Sequence, residues 1–541
     1  MTTTLDRRSA VLDSEHAGDI RGALGTIRLD DDSPQRGRSA QLKTLLAIIG
    51  PGLIVMIGDN DAGAFATYGQ AGQNYGTRLL WTLLLLVPVL YVNQEMVLRL
   101  GAVTGVGHAR LILERFGRFW GAFSVIDLFL LNALTIITEF IGVSLAASYL
   151  GLPKVAAVAL AALVIIGAAF TGSFRRFERI AIGLCAGSLL LIPVYFLSHP
   201  AAGQMIRGYT QPTIPGGSGQ LAAVMLLVIG IVGTTVAPWQ LFFQQSYVID
   251  KRITPRFIRY EKADLWIGIV IVVLGAGAIM GFTAAAFAGH AGGFTDAAGV
   301  ARGLQAHAGR LAGVLFAIAL LDASIIGAFA VSLSTAYALG DVFGLKHSLH
   351  RGVKGARGFY AVYGSLIVAA ATIVLIPGSP LGLLTEGVQA LAGVLLPSAS
   401  VYLLLLCNDS AVLGPWVNGR RTNVFTTAVV AVLVALSVIL TTSVLYPGIT
   451  AGQILAIMAA FGGTGLVLAG YVTASRLRAG TLAAVPVDRT GRDSWRMPPL
   501  ALLTRPPVPA PRRIGMTALR LYLAMATVLV IVKIAELAIG R

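Results

Sequence analysis

Gly50 to Gly63 reads GPGLIVMIGDNDAG, an apolar stretch of the kind that crosses a bilayer, yet it delivers Asp59, Asn60 and Asp61 in succession. A carboxylate near mid-membrane costs at least about 2.5 kcal/mol on insertion scales, so it faces a cavity or a partner and marks a functional position. Ala62 and Gly63 follow at once, and glycine loosens helical backbone. Carbonyls that a helix would use internally are then left free beside the carboxylates. These are the parts of an ion site.

The rest of the chain supplies the membrane. Its 541 residues are 56% hydrophobic and only 12% charged, well above the apolar content of a soluble domain. Apolar segments fall at roughly 44–70, 79–98, 119–150, 155–171, 179–197, 219–248, 263–289, 311–340, 359–376, 382–407, 424–445 and 451–474, about twelve helical spans. Cys185 and Cys407 both lie in apolar runs, which offers neither a disulfide framework nor a cysteine zinc site. The net charge of +16 does not indicate nucleic acid. Basic residues follow every even-numbered span, as at Arg175/Arg176/Arg179, Lys251 to Lys262 and Arg420/Arg421, while the opposite loops are poorer in them. That asymmetry places the N-terminus in the cytoplasm of a bacterial-type cell membrane.

Residues 1–42 are polar and Arg-rich and predict a disordered cytoplasmic tail without a signal peptide. Spans one to ten make a core over 43–408, two further spans occupy 409–478, a Pro/Arg-rich linker covers 479–513, and 514–541 reads as a thirteenth span.

A second span is interrupted like the first, at Pro238 within GTTVAPWQ, Gly233 to Gln240. Proline removes a backbone donor and frees the carbonyl one turn earlier. Five spans separate the two breaks, and paired discontinuous helices at corresponding positions of two halves point to an inverted-repeat transporter with its site at the midplane. Asp61, with Asp59 and Asn60, offers hard oxygen ligands, and the carbonyls of Gly58 and Thr234 can add to them, a set suited to magnesium, manganese or calcium. The same acids also fit buried hydrogen bonding or a proton relay. Gln240 and Gln389 can give amide oxygens or join helices. Met56 offers a thioether or only packing, and Trp239 either narrows the route or packs on the first span. Glu139, Asp127 and Asp322 are further intramembrane acids, each a proton relay or a hydrogen-bond hub. The histidines fall in loops and at span ends, and no P-loop, zinc-protease helix or nucleophile elbow stands in a plausible context, so an enzyme or an ATP-driven pump has no support.

Over about residues 44–475 the chain resembles the natural resistance-associated macrophage protein (Nramp) family of divalent-metal transporters. GPGLIVMIGDNDAGAFATYGQAGQNYGTRLLW aligns without a gap to the family's first-span signature, and QEMVLRLGAVTG (Gln94 to Gly105), TEFIGVSLA (Thr138 to Ala146) and GPWVNGR (Gly414 to Arg420) resemble further family segments. The resemblance implies an all-α LeuT-type 5+5 inverted repeat, helices 1 and 6 broken, about 12 to 13 transmembrane helices, and alternating access. It puts Asp61 on the metal-binding aspartate, Gly58 and Thr234 on the carbonyl donors, Gln389 on a glutamine that approaches the ion when the site is occluded, and Glu139 on the third-span acid.

This sequence departs from the family where the ion would sit. Ala64 replaces an asparagine ligand, Ala62 replaces the motif proline, leaving the first break to Gly63, and Met-Pro-His becomes Ala237-Pro238-Trp239. The soft thioether is lost, as in a magnesium-transporting branch of the family, and an oxygen-only site suits an ion that retains water. The third-span aspartate of the family's proton route falls at Ile136, and its sixth-span histidines at Trp239 and Gln244. The expectation is import of magnesium or manganese as substrate, with no cofactor and little or no proton coupling. Two alternatives remain at this stage, an amino-acid or organic-cation transporter of the same fold and a metal sensor that moves nothing.

Overall fold

The computed structural model describes residues 11–31, 37–215, 221–290, 293–376, 381–445, 449–478 and 489–503, together with 517, 520, 521, 524 and 528. The expected thirteenth span and most of the linker before it fall outside the described residues.

Helix α1 (Arg38–Ile48) turns by 53° into α2 (Pro51–Ile57), and α3 (Ala62–Tyr75) completes the first span. Spans two to five are α4 (Trp81–Thr104), then α6 (Arg118–Leu150) after the short α5 (His108–Phe116), α7 (Lys154–Ala169), and α8 (Phe174–Cys185) with α9 (Leu191–Ser198). After α10 (Ala202–Thr210) the second half begins with another divided span, α11 (Leu221–Thr235) and α12 (Pro238–Asp250). It continues through α13 (Ile258–Ala286), α14 (Ala297–Ala308), α15 (Arg310–Phe343), α16 (Arg357–Val374) and α17 (Leu381–Cys407). Beyond this core lie α18 (Ser410–Leu413), α19 (Arg420–Leu445) and α20 (Ala451–Arg478). Nine described helices are long and apolar enough to cross a bilayer, ten with the bent α1–α2 pair counted as one. Helices α7 and α20 are shorter in their apolar part.

The repeat is visible in a device the two halves share. In each, a short helix ends on a glycine that also opens the longest span, Gly117 (φ 100°) between α5 and α6, and Gly309 (φ 86°) between α14 and α15. Positive φ at that joint is cheap only for glycine. The two long helices, 33 and 34 residues, pack along each other and form the wall behind both breaks.

The N-terminal tail is the clearest correction. Residues 11–31, expected to be disordered, form a short turn and a two-stranded hairpin, β1 (Ile20–Arg21) with β2 (Thr26–Ile27), seated on the basic end of the bundle. Its arginine-rich composition hides how many acids it carries to that basic surface. Asp13 takes the Arg351 guanidinium at 2.5–3.0 Å, Glu15 meets Arg252 at 3.3 Å, and the Arg175 Nε donates to the Gly22 carbonyl at 3.1 Å. Burial would raise the Asp13 carboxyl, but the Arg351 hydrogen bond holds it well below the usual range.

His347 supports the same contact. Burial would lower its pKa, but the Asp341 carboxylate, 3.0 Å from Nε2, prevails and lifts it to about 9. Burial lowers the pKa of His16, 5.1 Å from His347 between ring centroids, and the Asp250 carboxylate 3.6 Å away pulls against that. The folded His347 binds its proton more tightly than the unfolded chain does, so its contribution is complete below about pH 6.5 and disappears as pH rises through about 9. Protection of residues 11–31 against hydrogen exchange, taken relative to the intrinsic rate at each pH, is therefore expected to fall between those values, and His347→Gln should remove that fall.

Candidate metal site

Both breaks sit where their residue types require. Helix α2 stops at Gly58, and α3 restarts with Asp61 as N-cap, its Oδ1 accepting the Ala64 N–H at 2.9 Å. Glu139 of α6 accepts the Ala62 N–H at 3.1 Å. Two carboxylates thus occupy the positive end of α3, where unpaired N–H groups and the helix dipole favour anions. In the other span α11 ends at Thr235, and Val236 and Ala237 are non-helical before Pro238 opens α12. Pro238 has no N–H to give to the Thr234 carbonyl four residues back, so that oxygen is released.

The fourth wall comes from α17. A Cβ on Gly233 would lie 2.3 Å from the Gln389 carbonyl and 2.5 Å from the Gly393 nitrogen, so α11 and α17 touch backbone to backbone one residue before Thr234. Gln389 then reaches the first break. A Cβ on Gly63 would lie 1.7 Å from Gln389 Nε2 and 3.2 Å from Asp61 Oδ1. Gly63 does not make the break, as the sequence suggested. It is the first-turn residue of α3 whose missing side chain admits Gln389. Gly63→Ala should displace that amide and, since misplacements near 1 Å cost up to about a hundredfold, lower metal uptake by roughly tenfold or more with the fold intact. Uptake and Tm measured on the same preparation check this.

Burial defines what the remaining groups can do. Asp59, Asn60 and Asp61 are 0, 3 and 3% exposed, so the site is closed to solvent in this conformation. The Asp59 Oδ1 accepts a short hydrogen bond from Gln240 Nε2, while its Oδ2 has no partner among the described residues. Glu139 Oε1 and Thr234 Oγ1 are likewise buried without partners. Of the two readings open for Gln240, the structure shows the link between helices: its oxygen accepts from Gln94 Nε2 at 3.0 Å and its nitrogen donates to Asp59, so it orients a carboxylate. Asn60 faces α13, its Nδ2 donating to the Val272 carbonyl at 3.2 Å. Trp239, 1% exposed, closes over Gly58 at 3.6 Å from the position of an added Cβ. Ala237 and Pro238 are buried at the second break.

Glu139 and Asp61 meet over Gly327 of α15, where a Cβ would lie 2.7 Å from Glu139 Cδ and 2.9 Å from Asp61 Cβ. Among the described residues no three His, Cys, Asp or Glu side chains converge as a resident metal centre. What the two breaks bring together is the carboxylates of Asp59, Asp61 and Glu139 with the Gln389 amide. A narrow cavity lined by Ala62, Thr138, Gly142, Phe294 and Asp296 reaches the first break from the end of the bundle opposite the hairpin. Asp127, which lies 3.5 Å from Ser398 Oγ, and Asp322, packed against Gly187, belong to other helix contacts.

One residue escaped sequence reading. Asp264 of α13 accepts the N–H groups of Gly50, Gly52 and Leu53 at 3.2, 2.6 and 3.2 Å, capping α2 from 211 to 214 residues away. A cap ordinarily sits beside its helix in sequence, so no local signal announces it.

Comparisons with known proteins bear on the fold and the family. Residues 52–443 match the family described as natural resistance-associated macrophage protein-like, Nramp. The divalent metal cation transporter MntH of Ralstonia nicotianae is 32% identical over 414 residues, 72% of this chain and 89% of that protein. The MntH of Klebsiella pneumoniae strain 342 is 25% identical over 432 residues, covering 76% and 97%. The crystal structure of the Eremococcus coleocola manganese transporter superposes with a TM-score of 0.61 at 20% identity, covering 82% of this chain and 97% of that one. The fold is the all-α, LeuT-type inverted repeat of a polytopic membrane protein, and with 72% of its length matched the chain belongs to the Nramp family.

Proposed function

We propose that this protein carries a divalent metal cation across the membrane by alternating access, with Asp59 and Asp61, the carbonyls of Gly58 and Thr234, and Gln389 as its ligands. The observation that carries the reading is the buried Asp59 Oδ2, without a partner among the described residues, beside Asp61 where the two helix breaks meet. Two carboxylates desolvated together repel each other, and a doubly charged ion relieves the repulsion. The related MntH proteins are named divalent metal cation transporters.

Hard oxygen donors and Ala237 in place of a thioether favour magnesium or manganese over softer metals. Ala237→Met is expected to raise cadmium uptake relative to magnesium about tenfold, measured by competition in proteoliposomes. Proton coupling is weak or absent in this reading. Ile136, Trp239 and Gln244 are buried, non-titrating residues at 0–1% exposure, so the break has no relay through them. An inside-negative potential drives entry instead, at about 2.3 kcal/mol per charge per 100 mV.

Flux of magnesium, manganese, calcium and cadmium through purified protein in liposomes, with an internal pH dye, tests the whole proposal. Saturable entry of magnesium or manganese without internal acidification is expected. Stoichiometric acidification would refute the uncoupled mechanism, and absence of flux for all four ions would refute transport.

A further inference from the structure

At the basic end of the bundle, a pocket opens between α4, α13 and the start of α19, closed below by the 489–503 segment. That segment is tied to the core: Trp416 Nε1 donates to the Arg492 carbonyl at 2.7 Å, and Met497 is 1% exposed with its N–H directed to the Val103 carbonyl at 3.4 Å. Five cations line the pocket, Arg99, Lys262, Arg421, Arg489 and Arg492, against one carboxylate, Glu95.

Glu95 is already shared, meeting Arg99 at 3.1 Å and Lys262 at 2.8 Å. Arg99 also donates to Asn418 Oδ1 at 2.5 Å and to the Trp416 carbonyl. Arg492 lies 4.8 Å above the Trp416 ring, with Asp493 3.6 Å away. Among the described residues no carboxylate pairs with Arg421 or Arg489. Arg421 stands moreover in the first turn of α19, which holds no acid, and there the helix dipole disfavours a cation. Its neighbour in the pocket, Arg489, approaches the same terminus, Nη2 lying 3.8 Å from the position of a Cβ on Gly419. Positive charge gathered onto a positive helix end is stable when an anion joins it.

The wall identifies the anion's source. Tyr91 stacks on Trp266 at 4.8 Å between centroids, and Trp266 and Phe425 are 43 and 41% exposed on spans that face lipid. Half-exposed aromatic rings beside arginines at the end of a span are the arrangement of the headgroup level. We propose that this pocket binds the phosphate of an anionic phospholipid, Arg421, Arg489 and Arg492 holding the phosphodiester and the Tyr91, Trp266 and Phe425 rings lying along its acyl chains. The lipid would fasten α19 and the 489–503 segment to the core, independently of what the core transports.

Full-length protein in neutral detergent, titrated with phosphatidylglycerol, phosphatidylcholine or inorganic phosphate, tests this by native mass spectrometry and by Tm. Phosphatidylglycerol is expected to bind and raise Tm, the other two to do neither. Removing three cations at the surface in R421Q/R489Q/R492Q should weaken phosphatidylglycerol binding on the order of a hundredfold. The equally discharged K346Q/K354Q/R357Q, at exposed positions between α15 and the first residue of α16, should bind as the wild type does. Equal binding of phosphatidylcholine, a full Tm shift from phosphate alone, or equal losses in both triple variants would overturn the proposal. The mass measurement on unmodified protein decides it even where a variant is unstable.

Discussion

Asp61→Asn is expected to abolish metal uptake while leaving the protein folded. The substitution separates two duties of one side chain. As N-cap of α3, Asp61 accepts the Ala64 N–H, and asparagine caps a helix about as well as aspartate, so the roughly 1 kcal/mol that a cap contributes is retained. The charge facing Asp59 is removed, and with it the main reason for a divalent ion to leave water for this site. Asp61→Ala should fail twice, losing the ion and the cap. Calorimetry and liposome flux on both variants, with Tm as the control, decide the matter. Wild-type uptake by Asp61→Asn would show that Asp61 is a cap alone.

The largest effect on stability is expected at Lys251. Its Nζ is fully buried, 2.7 Å from Glu178 Oε1, and also donates to the carbonyls of Ile48 and Ile49 at 2.6 and 2.8 Å. Those carbonyls end α1, just where the chain bends into α2, and the second Glu178 oxygen accepts the Ala23 N–H of the hairpin at 2.6 Å. One ion pair therefore joins the end of α12, the start of α8, the bend before the first break and the N-terminal segment. Lys251→Met leaves Glu178 charged, buried and unpaired, and should cost about 3–5 kcal/mol. Lys251→Met/Glu178→Leu removes both charges, and replacing a buried pair by apolar residues is often neutral, so much of the loss should return. Thermal unfolding in one detergent measures both. A double variant no better than the single would place the stabilisation in the carbonyl contacts of Lys251.

The sequence was most informative where membrane physics leaves a residue few options. Asp59 and Asp61 stood out because a carboxylate in an apolar span is expensive whatever surrounds it, and Pro238 because it cannot donate to Thr234 in any fold. The glycine joints were written there too, as Gly117-Arg118 and Gly309-Arg310, but their equivalence emerges only when both are seen between a short helix and a long one.

Other features had no local signature. Gln240 read equally as an oxygen donor or as a link between helices, and Gln94 and Asp59 at the two ends of its amide decide for the link; Gly63 looked like a break until Gln389, 326 positions further along the chain, was found in its missing side chain's place. The hairpin at 11–31 reads as disordered because its composition buries little by itself; it folds against basic loops supplied by three distant helix ends. Burial costs and backbone chemistry are properties of a residue and its immediate neighbours, so the chain alone determined the membrane fold and the two breaks. Which oxygens are satisfied and which are left for an ion depends on partners two or three hundred residues apart, and only their packing decided it.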